Sequence, residues 1–130
     1  MMNRVVITGM GIYSCLGKTL DEVRDSLYNG KSGIIFVPER KEMGFRSALT
    51  AKLEEPDLKK MLSRSQHVYM PEQAKYAYCA TVDALRNAGI DQDYLNTHDV
   101  GLLYGNDSST VPNVKAVDTM REKKDTTLCG

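Results

Sequence analysis

The sequence carries no net charge, because its 17 lysines and arginines are balanced by 17 aspartates and glutamates. That balance gives the chain no global field to attract nucleic acid or an anionic membrane surface. Nothing in the sequence approaches a run of about 18 consecutive apolar residues, the length that crosses a membrane. The apolar run near the N-terminus is also too short for a secretory signal, so we expect a cytoplasmic protein.

Cysteine and histidine are scarce, with three cysteines and two histidines among 130 residues. Cys15, Cys79 and Cys129 are an odd number in neither metal-like nor disulfide-like spacing, which predicts free thiols in a reducing compartment. We expect Cys15 to pack under a turn and Cys79 to lie on the apolar side of a helix. His67 and His98 have no cysteine or carboxylate at metal spacing, so no metal site is predicted.

Two glycines follow the first apolar run, in the stretch NRVVITGMGIYSCLGKTLDEV. Gly9 and Gly11 fit the start of the dinucleotide pattern G-x-G-x-x-G, but Ser14 occupies the third glycine position. That pattern also needs an acidic residue about 20 positions further on, and positions 30–38 supply none. The later GKT run ends like a phosphate-binding loop, yet Ile12 replaces the glycine that such a loop requires. The residues therefore favour a tight turn after a buried strand over a nucleotide site.

Hydrophobic periodicity and helix caps predict strands and helices that alternate along the chain. Short apolar runs ended by glycine indicate buried strands, and apolar stripes at helical spacing indicate helices. This α/β pattern predicts a largely parallel sheet, although two strands alone resemble the opening part of a larger domain. The predicted strands are residues 5–7 and 100–104, GIIFVP is an extended piece, and the predicted helices are residues 20–28, 54–64 (with Leu58, Met61 and Leu62 turned inward), 71–88 and 114–121.

Five segments, in order along nearly the whole chain, carry a resemblance to a known family. They are RVVITGMGIYSCLG, MGFRSALTAKL, VYMPEQAKYAYCATVDALRNAGI, VGLLYGNDSS and AVDTMR. In this succession the sequence resembles the β-ketoacyl-[acyl-carrier-protein] synthases, and the later pieces look closer to the fatty-acid elongation type than to the modular polyketide type. The resemblance implies a thiolase-like fold, which is a layered α-β-α-β-α arrangement with a mostly parallel sheet. Residues 1–130 would form the N-terminal segment of its N-terminal domain, with no second complete domain.

The resemblance also implies a reaction, the decarboxylative Claisen condensation of malonyl-carrier protein with an acyl thioester in fatty-acid or polyketide synthesis. In the family a cysteine thiolate takes the acyl group and two histidines assist the decarboxylation. Those residues lie beyond position 130 in family members, so this chain has no catalytic residue and is expected to be inactive alone. Acyl carrier protein and a homodimer partner are implied, and no cofactor. The alternative is a non-catalytic, ketosynthase-like partner subunit of the chain-length-factor type.

By the same resemblance, Asp107 and Ser108 fall in a loop at the dimer interface, near the acyl pocket. The loop GNDSST follows a predicted strand at its carboxyl end, where α/β folds place ligands. A residue as small as Ser108 would leave room for longer or stiffer acyl chains. The alternative interpretation of these residues is a plain polar turn.

Three basic residues match positions where family members meet the acidic carrier protein. Arg64 matches one such position, and Lys123 and Lys124 follow the DTMR segment, where another basic cluster lies. Long-range charge complementarity would require basic residues there. Ser65 and Val68 depart from the pattern, because they stand where basic residues are often found. A solvated charged face is the alternative interpretation.

Overall fold

The computed structural model describes residues 4–68, 70–107 and 110–126 of the chain. The chain divides into two compact units, Met1–Glu54 with Cys79–Thr97 and Glu55–Tyr78 with His98–Gly130. Among the described residues no helix is long and apolar enough to cross a membrane. The elements in chain order are α1 (Leu20–Tyr28), β1 (Ile34–Phe36), α2 (Pro38–Glu42), β2 (Leu49–Ala51), α3 (Arg64–Val68), α4 (Glu72–Ala88), α5 (Gln92–Thr97) and α6 (Thr110–Lys123).

Helix α1 begins where the sequence supplies a cap and ends where it supplies a glycine. The Thr19 hydroxyl accepts a hydrogen bond from the Glu22 N–H at 3.2 Å. The Glu22 carboxylate in turn accepts one from the Lys18 N–H at 2.7 Å, one residue earlier than in a standard capping box. Asn29 is the C-cap, and Gly30 has a φ of +61°, which glycine adopts without steric cost. The predicted helix is confirmed.

The Thr19 cap should have a measurable effect on stability. Thr19→Ala removes the oxygen that satisfies an otherwise unpaired N–H in the first turn, so we expect the free energy of unfolding to fall by about 1 kcal/mol. Thr19→Ser keeps the oxygen and should stay within about 0.5 kcal/mol of the original protein. Urea unfolding followed by circular dichroism measures both variants. Equal losses in the two would assign the effect to the methyl group and not to the cap.

The ladder found in the described residues is an antiparallel pair. Strand β1 pairs with β2, with Ile34 opposite Ala51 and Phe36 opposite Leu49. The Val37 N–H donates to the carbonyl of Ala48 at 2.8 Å, so the connection through α2 reverses the chain. The extended piece predicted at GIIFVP is confirmed as β1. The mostly parallel sheet is not seen in this part of the chain, because the closing hydrogen bond makes the two strands a hairpin.

Two segments predicted as buried strands form no ladder within the described residues. Residues 5–7 and 100–104 carry exposed apolar side chains; Val5 is 91% exposed and Leu103 is 97% exposed. Their apolar composition predicts burial, but an extended segment becomes a strand only beside a partner that takes up its N–H and C=O groups. The predicted strands are therefore wrong for the described structure, and both segments keep edges that could pair.

The predicted helix over residues 54–64 is also wrong, because local side-chain hydrogen bonds replace helical ones there. The Asp57 carboxylate accepts from the Lys59 N–H at 3.1 Å, which favours a turn. The Ser63 hydroxyl accepts from the Gln66 N–H at 3.4 Å, so helix α3 begins at Arg64 instead. Of the side chains expected to turn inward, Leu58 is buried at 1% exposure, Leu62 is half-buried and Met61 is 47% exposed.

The remaining helices follow their sequence signals to different degrees. Helix α4 is confirmed; Gly89, at a φ of +69°, follows it directly. Helix α5 was not predicted, although Asp91 directly before it is a favourable N-cap residue. The Asp91 carboxylate accepts a hydrogen bond from the Tyr94 N–H at 2.8 Å. Helix α6 starts at Thr110, four residues before the predicted start.

Candidate functional site

The glycine turn lies directly against helix α4. A Cβ placed on Gly11 would stand 1.9 Å from the carbonyl oxygen of Ala80, and one on Gly9 would stand 2.5 Å from that of Ala84. Both distances lie far below van der Waals contact, so only glycine permits this approach. The backbone of α4 fills the space that a side chain at either glycine would need. The turn therefore serves packing, as the sequence favoured.

Side chains hold the turn in place within the first unit. Ser14 and Gly17 form an isolated antiparallel bridge, with N···O distances of 3.0 and 3.3 Å. The Tyr13 hydroxyl donates to the backbone carbonyl of Glu54 at 2.9 Å, and the Lys18 ammonium lies 2.6 Å from the Glu54 carboxylate. That hydrogen bond raises the pKa of Lys18 and lowers the pKa of Glu54. Both side chains are exposed, so the pair orients the turn more than it stabilises the fold.

A cavity of about 530 Å³ opens beside the first turn of α1. The basic groups that line it are already engaged, since Arg86 lies 2.8 Å from Asp83 and Lys18 pairs with Glu54. The side-chain oxygen of Asn87 accepts a hydrogen bond from the N–H of Met10, which lies between the two glycines, at 3.1 Å. A phosphate site at a helix start needs free N–H groups and uncompensated positive charge. This cavity therefore gives the nucleotide hypothesis no support.

The two described cysteines, Cys15 and Cys79, are free thiols with packing roles. Cys15 was expected to pack under the glycine turn; its sulfur would lie 2.5 Å from a Cβ at Gly33, so the half-buried thiol packs against the residue that precedes β1. Burial raises the pKa of Cys79, and the charge of Asp83 raises it further, which is the opposite of what a nucleophile needs. Cys129 lies outside the described residues. Within those residues no group of His, Cys, Asp and Glu side chains could hold a metal ion.

The predicted docking residues are exposed at the ends of two helices in the second unit. Arg64 is the first residue of α3, and Lys123 is the last residue of α6. Lys124 follows at a φ of 53°, where its N–H still donates to the Met120 carbonyl at 3.0 Å. No ion pair engages these three side chains within the described part of the chain. They are available to a partner, and their role in docking stays a prediction.

The predicted acyl-pocket loop is described only in part. Asp107 is exposed at a bend just before α6. Ser108 lies outside the described residues, so its effect on acyl length stays a prediction.

Sequence reasoning missed an ion pair in the second unit. The Lys75 ammonium, on α4, donates to the carboxylate of Glu55; the lysine side chain is 11% exposed and the glutamate side chain is 58% exposed. This hydrogen bond lowers the pKa of Glu55, and the charges of Lys75, His67 and Lys115 lower it further. One sequence signal could have indicated this pair: Lys75 follows Ala74, a member of the apolar stripe of α4, so its ammonium would need a partner if the stripe is buried.

Replacing Glu55 should lower the free energy of unfolding more than replacing Lys75. Glu55→Gln leaves a nearly buried ammonium without its counter-charge, and we expect the free energy of unfolding to fall by about 1–2 kcal/mol, less than for a fully buried pair. Lys75→Met leaves an exposed carboxylate and replaces the stem with apolar surface, so its effect should stay within about 1 kcal/mol. Urea unfolding at neutral pH measures both. If Lys75→Met lowered the free energy of unfolding more than Glu55→Gln, the buried ammonium would not be the group that depends on the pair.

The same pair gives stability a dependence on acid pH. The pKa of Glu55 is lowered in the folded state from its ordinary 4.5. Its contribution is therefore complete above pH 4.5 and is lost as the pH falls through the folded-state pKa. Glu55→Gln cannot titrate there, so the stability difference from the original protein should shrink between neutral pH and about pH 3.

Comparisons with known proteins agree on one family. The model of the β-ketoacyl synthase N-terminal domain matches residues 2–128. The chain is 35% identical over 127 residues to 3-oxoacyl-[acyl-carrier-protein] synthase 1 of Haemophilus influenzae, covering 92% of this chain and 30% of that protein. It is 36% identical over 105 residues to the protein of the same name from Escherichia coli strain K12, covering 80% of this chain and 26% of that one.

A solved structure is similar over nearly the whole chain. The crystal structure of a β-ketoacyl synthase from Burkholderia phymatum STM815 matches with a TM-score of 0.75 and 30% identity, over 99% of this chain and 32% of that one. This similarity is consistent with the expected thiolase-like fold, while the layered sheet stays a prediction. The chain spans 26% to 32% of the length of these three relatives.

Proposed function

Because this chain belongs to the β-ketoacyl synthase family, we propose that it is the N-terminal segment of a 3-oxoacyl-[acyl-carrier-protein] synthase of fatty-acid synthesis. The family match over residues 2–128 carries the proposal. The glycine turn supports it from the structure, because Gly9 and Gly11 lie directly against the backbone of α4 and so have a packing role in the described residues. In this proposal residues 1–130 are part of one N-terminal domain and hold no second complete domain.

The proposed reaction is a decarboxylative Claisen condensation. A cysteine thiolate accepts the acyl group from one thioester, and malonyl-carrier protein loses carbon dioxide. The resulting carbanion attacks the acyl carbonyl carbon, and the thiolate leaves as the carbon–carbon bond forms. The nucleophile and the histidines belong to parts of the enzyme beyond residue 130, so residues 1–130 alone are inactive. The protein acts in the cytoplasm as a homodimer, without a cofactor.

Within this enzyme the chain contributes a docking surface and part of an acyl pocket. Arg64, Lys123 and Lys124 meet the acidic carrier protein through charge complementarity. Their exposed positions at the ends of α3 and α6 support this role. Asp107 and Ser108 border the acyl pocket at the dimer interface.

Charge reversal at Arg64 tests the docking role. Arg64→Glu should weaken binding of acyl carrier protein by about three- to tenfold at low ionic strength, mainly through slower association. The difference should shrink at high salt, because exposed charges are screened. Surface plasmon resonance at two salt concentrations measures both quantities. Arg46→Glu, an exposed arginine of the first unit, is the matched control; equal losses in the two variants would contradict docking at Arg64.

Acyl transfer separates the enzyme from the non-catalytic alternative. The protein that carries this sequence, at its natural length, is incubated first with acyl-carrier protein and then with malonyl-carrier protein, and is analysed by intact mass after each step. A covalent acyl adduct followed by 3-oxoacyl product supports the synthase. Binding of carrier protein without any adduct or carbon dioxide release favours the ketosynthase-like partner subunit.

A further inference from the structure

We propose that Asn29 and Gly30, at the end of helix α1, form a modification site that opens only when this end of the helix unwinds. Once it is open, the backbone nitrogen of Gly30 displaces the side-chain amide of Asn29, which becomes aspartate or isoaspartate. The inference is independent of the proposed function, because it concerns the chemistry of the chain itself in the first unit.

The sequence singles out this pair of residues. Asn29 is the one asparagine of the chain that is followed by glycine. The next backbone nitrogen attacks an asparagine side chain most readily when it belongs to glycine, because no Cβ hinders its approach. Both residues are exposed, so water and hydroxide reach them.

The modification is a cyclisation followed by a hydrolysis. The Gly30 nitrogen loses its proton to the solvent and forms a bond to the side-chain carbonyl carbon of Asn29. The bond from that carbon to the amide nitrogen breaks, and ammonia leaves after taking a proton from the solvent. Water then opens the cyclic imide at either of its carbonyl groups, which gives aspartate or isoaspartate.

The folded end of α1 keeps the two reacting groups apart. Asn29 has a ψ of 6°, so the Gly30 nitrogen eclipses the backbone nitrogen of Asn29. Ring closure requires it to eclipse the Cβ instead, because the side-chain carbonyl carbon is attached there. The Asn29 amide donates a hydrogen bond to the Asp25 carbonyl at 2.7 Å. The Gly30 N–H donates to the Leu27 carbonyl at 3.2 Å. The backbone must therefore rotate and lose both hydrogen bonds before the reaction begins.

The contacts that close the site belong to the helix end. The Lys31 N–H donates to the Ser26 carbonyl at 2.9 Å, as in a Schellman motif. Ser26 is buried, and its hydroxyl donates to the Leu16 carbonyl at 2.7 Å. Tyr28, two residues later, is 85% exposed. Exposed helix ends open at a far lower free energy than the whole fold, so the site opens more often than the protein unfolds.

The modified residue cannot restore the helix end. Aspartate at position 29 lacks the amide that donates to the Asp25 carbonyl. Its negative charge lies at the negative end of the helix dipole, four residues after Asp25, and the last turn of α1 holds no basic residue. Isoaspartate lengthens the backbone by one carbon and displaces Gly30 from its place in the motif. The modification therefore favours the unwound end.

Conversion rates at Asn29 test the inference in the protein at its natural length. The protein is incubated in mildly alkaline buffer with and without guanidinium chloride, and peptide mass spectrometry follows the conversion over time. Asn29 should convert at least about tenfold more slowly in the folded protein than in guanidinium chloride. In guanidinium chloride, Gly30→Ala should slow the conversion at least about tenfold, because its methyl group hinders the attacking nitrogen.

Two serine variants test the opening step. Ser26→Ala removes the hydroxyl that holds the helix end to Leu16, so Asn29 should convert about two- to tenfold faster in the folded protein. Ser47→Ala makes the same change before β2, where the hydroxyl accepts from the Leu49 N–H at 3.1 Å, and should match the original protein. Both variants should convert at the original rate in guanidinium chloride.

Equal rates for the original protein with and without guanidinium chloride would overturn the inference, because the helix end would then protect nothing. An unreactive Asn29 in guanidinium chloride would overturn it as well. So would a folded Ser26→Ala that converts no faster than Ser47→Ala. If Ser26→Ala does not fold, the folded and denatured original protein decide. Because none of these measurements involves carrier protein or acyl transfer, the proposed function stands or fails separately.

Discussion

Gly11→Ala should lower the free energy of unfolding by about 3 kcal/mol or more, at the upper end of overpacking effects. The new Cβ would stand 1.9 Å from the Ala80 carbonyl oxygen and 2.6 Å from the Ala84 backbone nitrogen. Both neighbours belong to the backbone of α4, so no side chain can rotate away. The turn or the whole helix must move, and the hydrogen bonds that hold the turn would be strained with it.

A matched glycine separates this contact from the general effect of adding a methyl group. Gly101 has nothing within 4 Å of a built Cβ, so Gly101→Ala should change stability by no more than about 1 kcal/mol. Urea unfolding of both variants, followed by circular dichroism, gives the difference. Equal stabilities would mean that the turn does not lie against the backbone of α4.

Helix ends were predictable because their signals are local. Thr19 caps α1 through a bond to a residue three positions away, and glycines at positive φ follow both α1 and α4. Each signal needs only the chain within one turn of the helix. The packing role of the glycine turn was predictable for a similar reason. Ser14 and Ile12, which stand where nucleotide-binding patterns require glycine, lie within five residues of Gly9 and Gly11.

Strand pairing was not predictable, because pairing joins residues that are distant in sequence, although GIIFVP was predicted as an extended piece and forms β1. Residues 5–7 and 100–104 have the apolar composition of buried strands, yet the described structure supplies no partner for them. Strands β1 and β2 do pair, through a register that joins Ile34 to Ala51 across the connection through α2. Composition indicates what a strand would bury, but the partner decides whether a ladder forms.

The candidate docking surface was predictable only where the family resemblance reached. Arg64, Lys123 and Lys124 came from matched motifs, and the structure leaves all three exposed. The pairing of Glu55 with Lys75 spans 20 residues and follows no local pattern. Only the fold brings those two charges together, so only the structure could reveal this ion pair.

Leu58→Ala should lower the free energy of unfolding by about 3 kcal/mol, within the usual range for truncating a buried leucine. Leu58 is 1% exposed and is the one large side chain below 2% among the described residues. Its backbone carbonyl also accepts hydrogen bonds from the N–H groups of Met61 and Leu62, both at 2.9 Å, so the buried side chain belongs to the residue at which the turn before α3 begins. Truncation leaves a cavity that a turn held by hydrogen bonds can close only in part.

Met61→Ala provides the comparison, because Met61 lies in the same turn and is 47% exposed. Its truncation should cost about 1 kcal/mol or less, and urea unfolding of the two variants measures the difference. A gap of about 2 kcal/mol would assign the stability of this segment to the burial of one leucine. If both variants lost the same free energy of unfolding, burial of the Leu58 side chain would contribute little to stability. The backbone hydrogen bonds of the turn would then hold the residues before Arg64 in position.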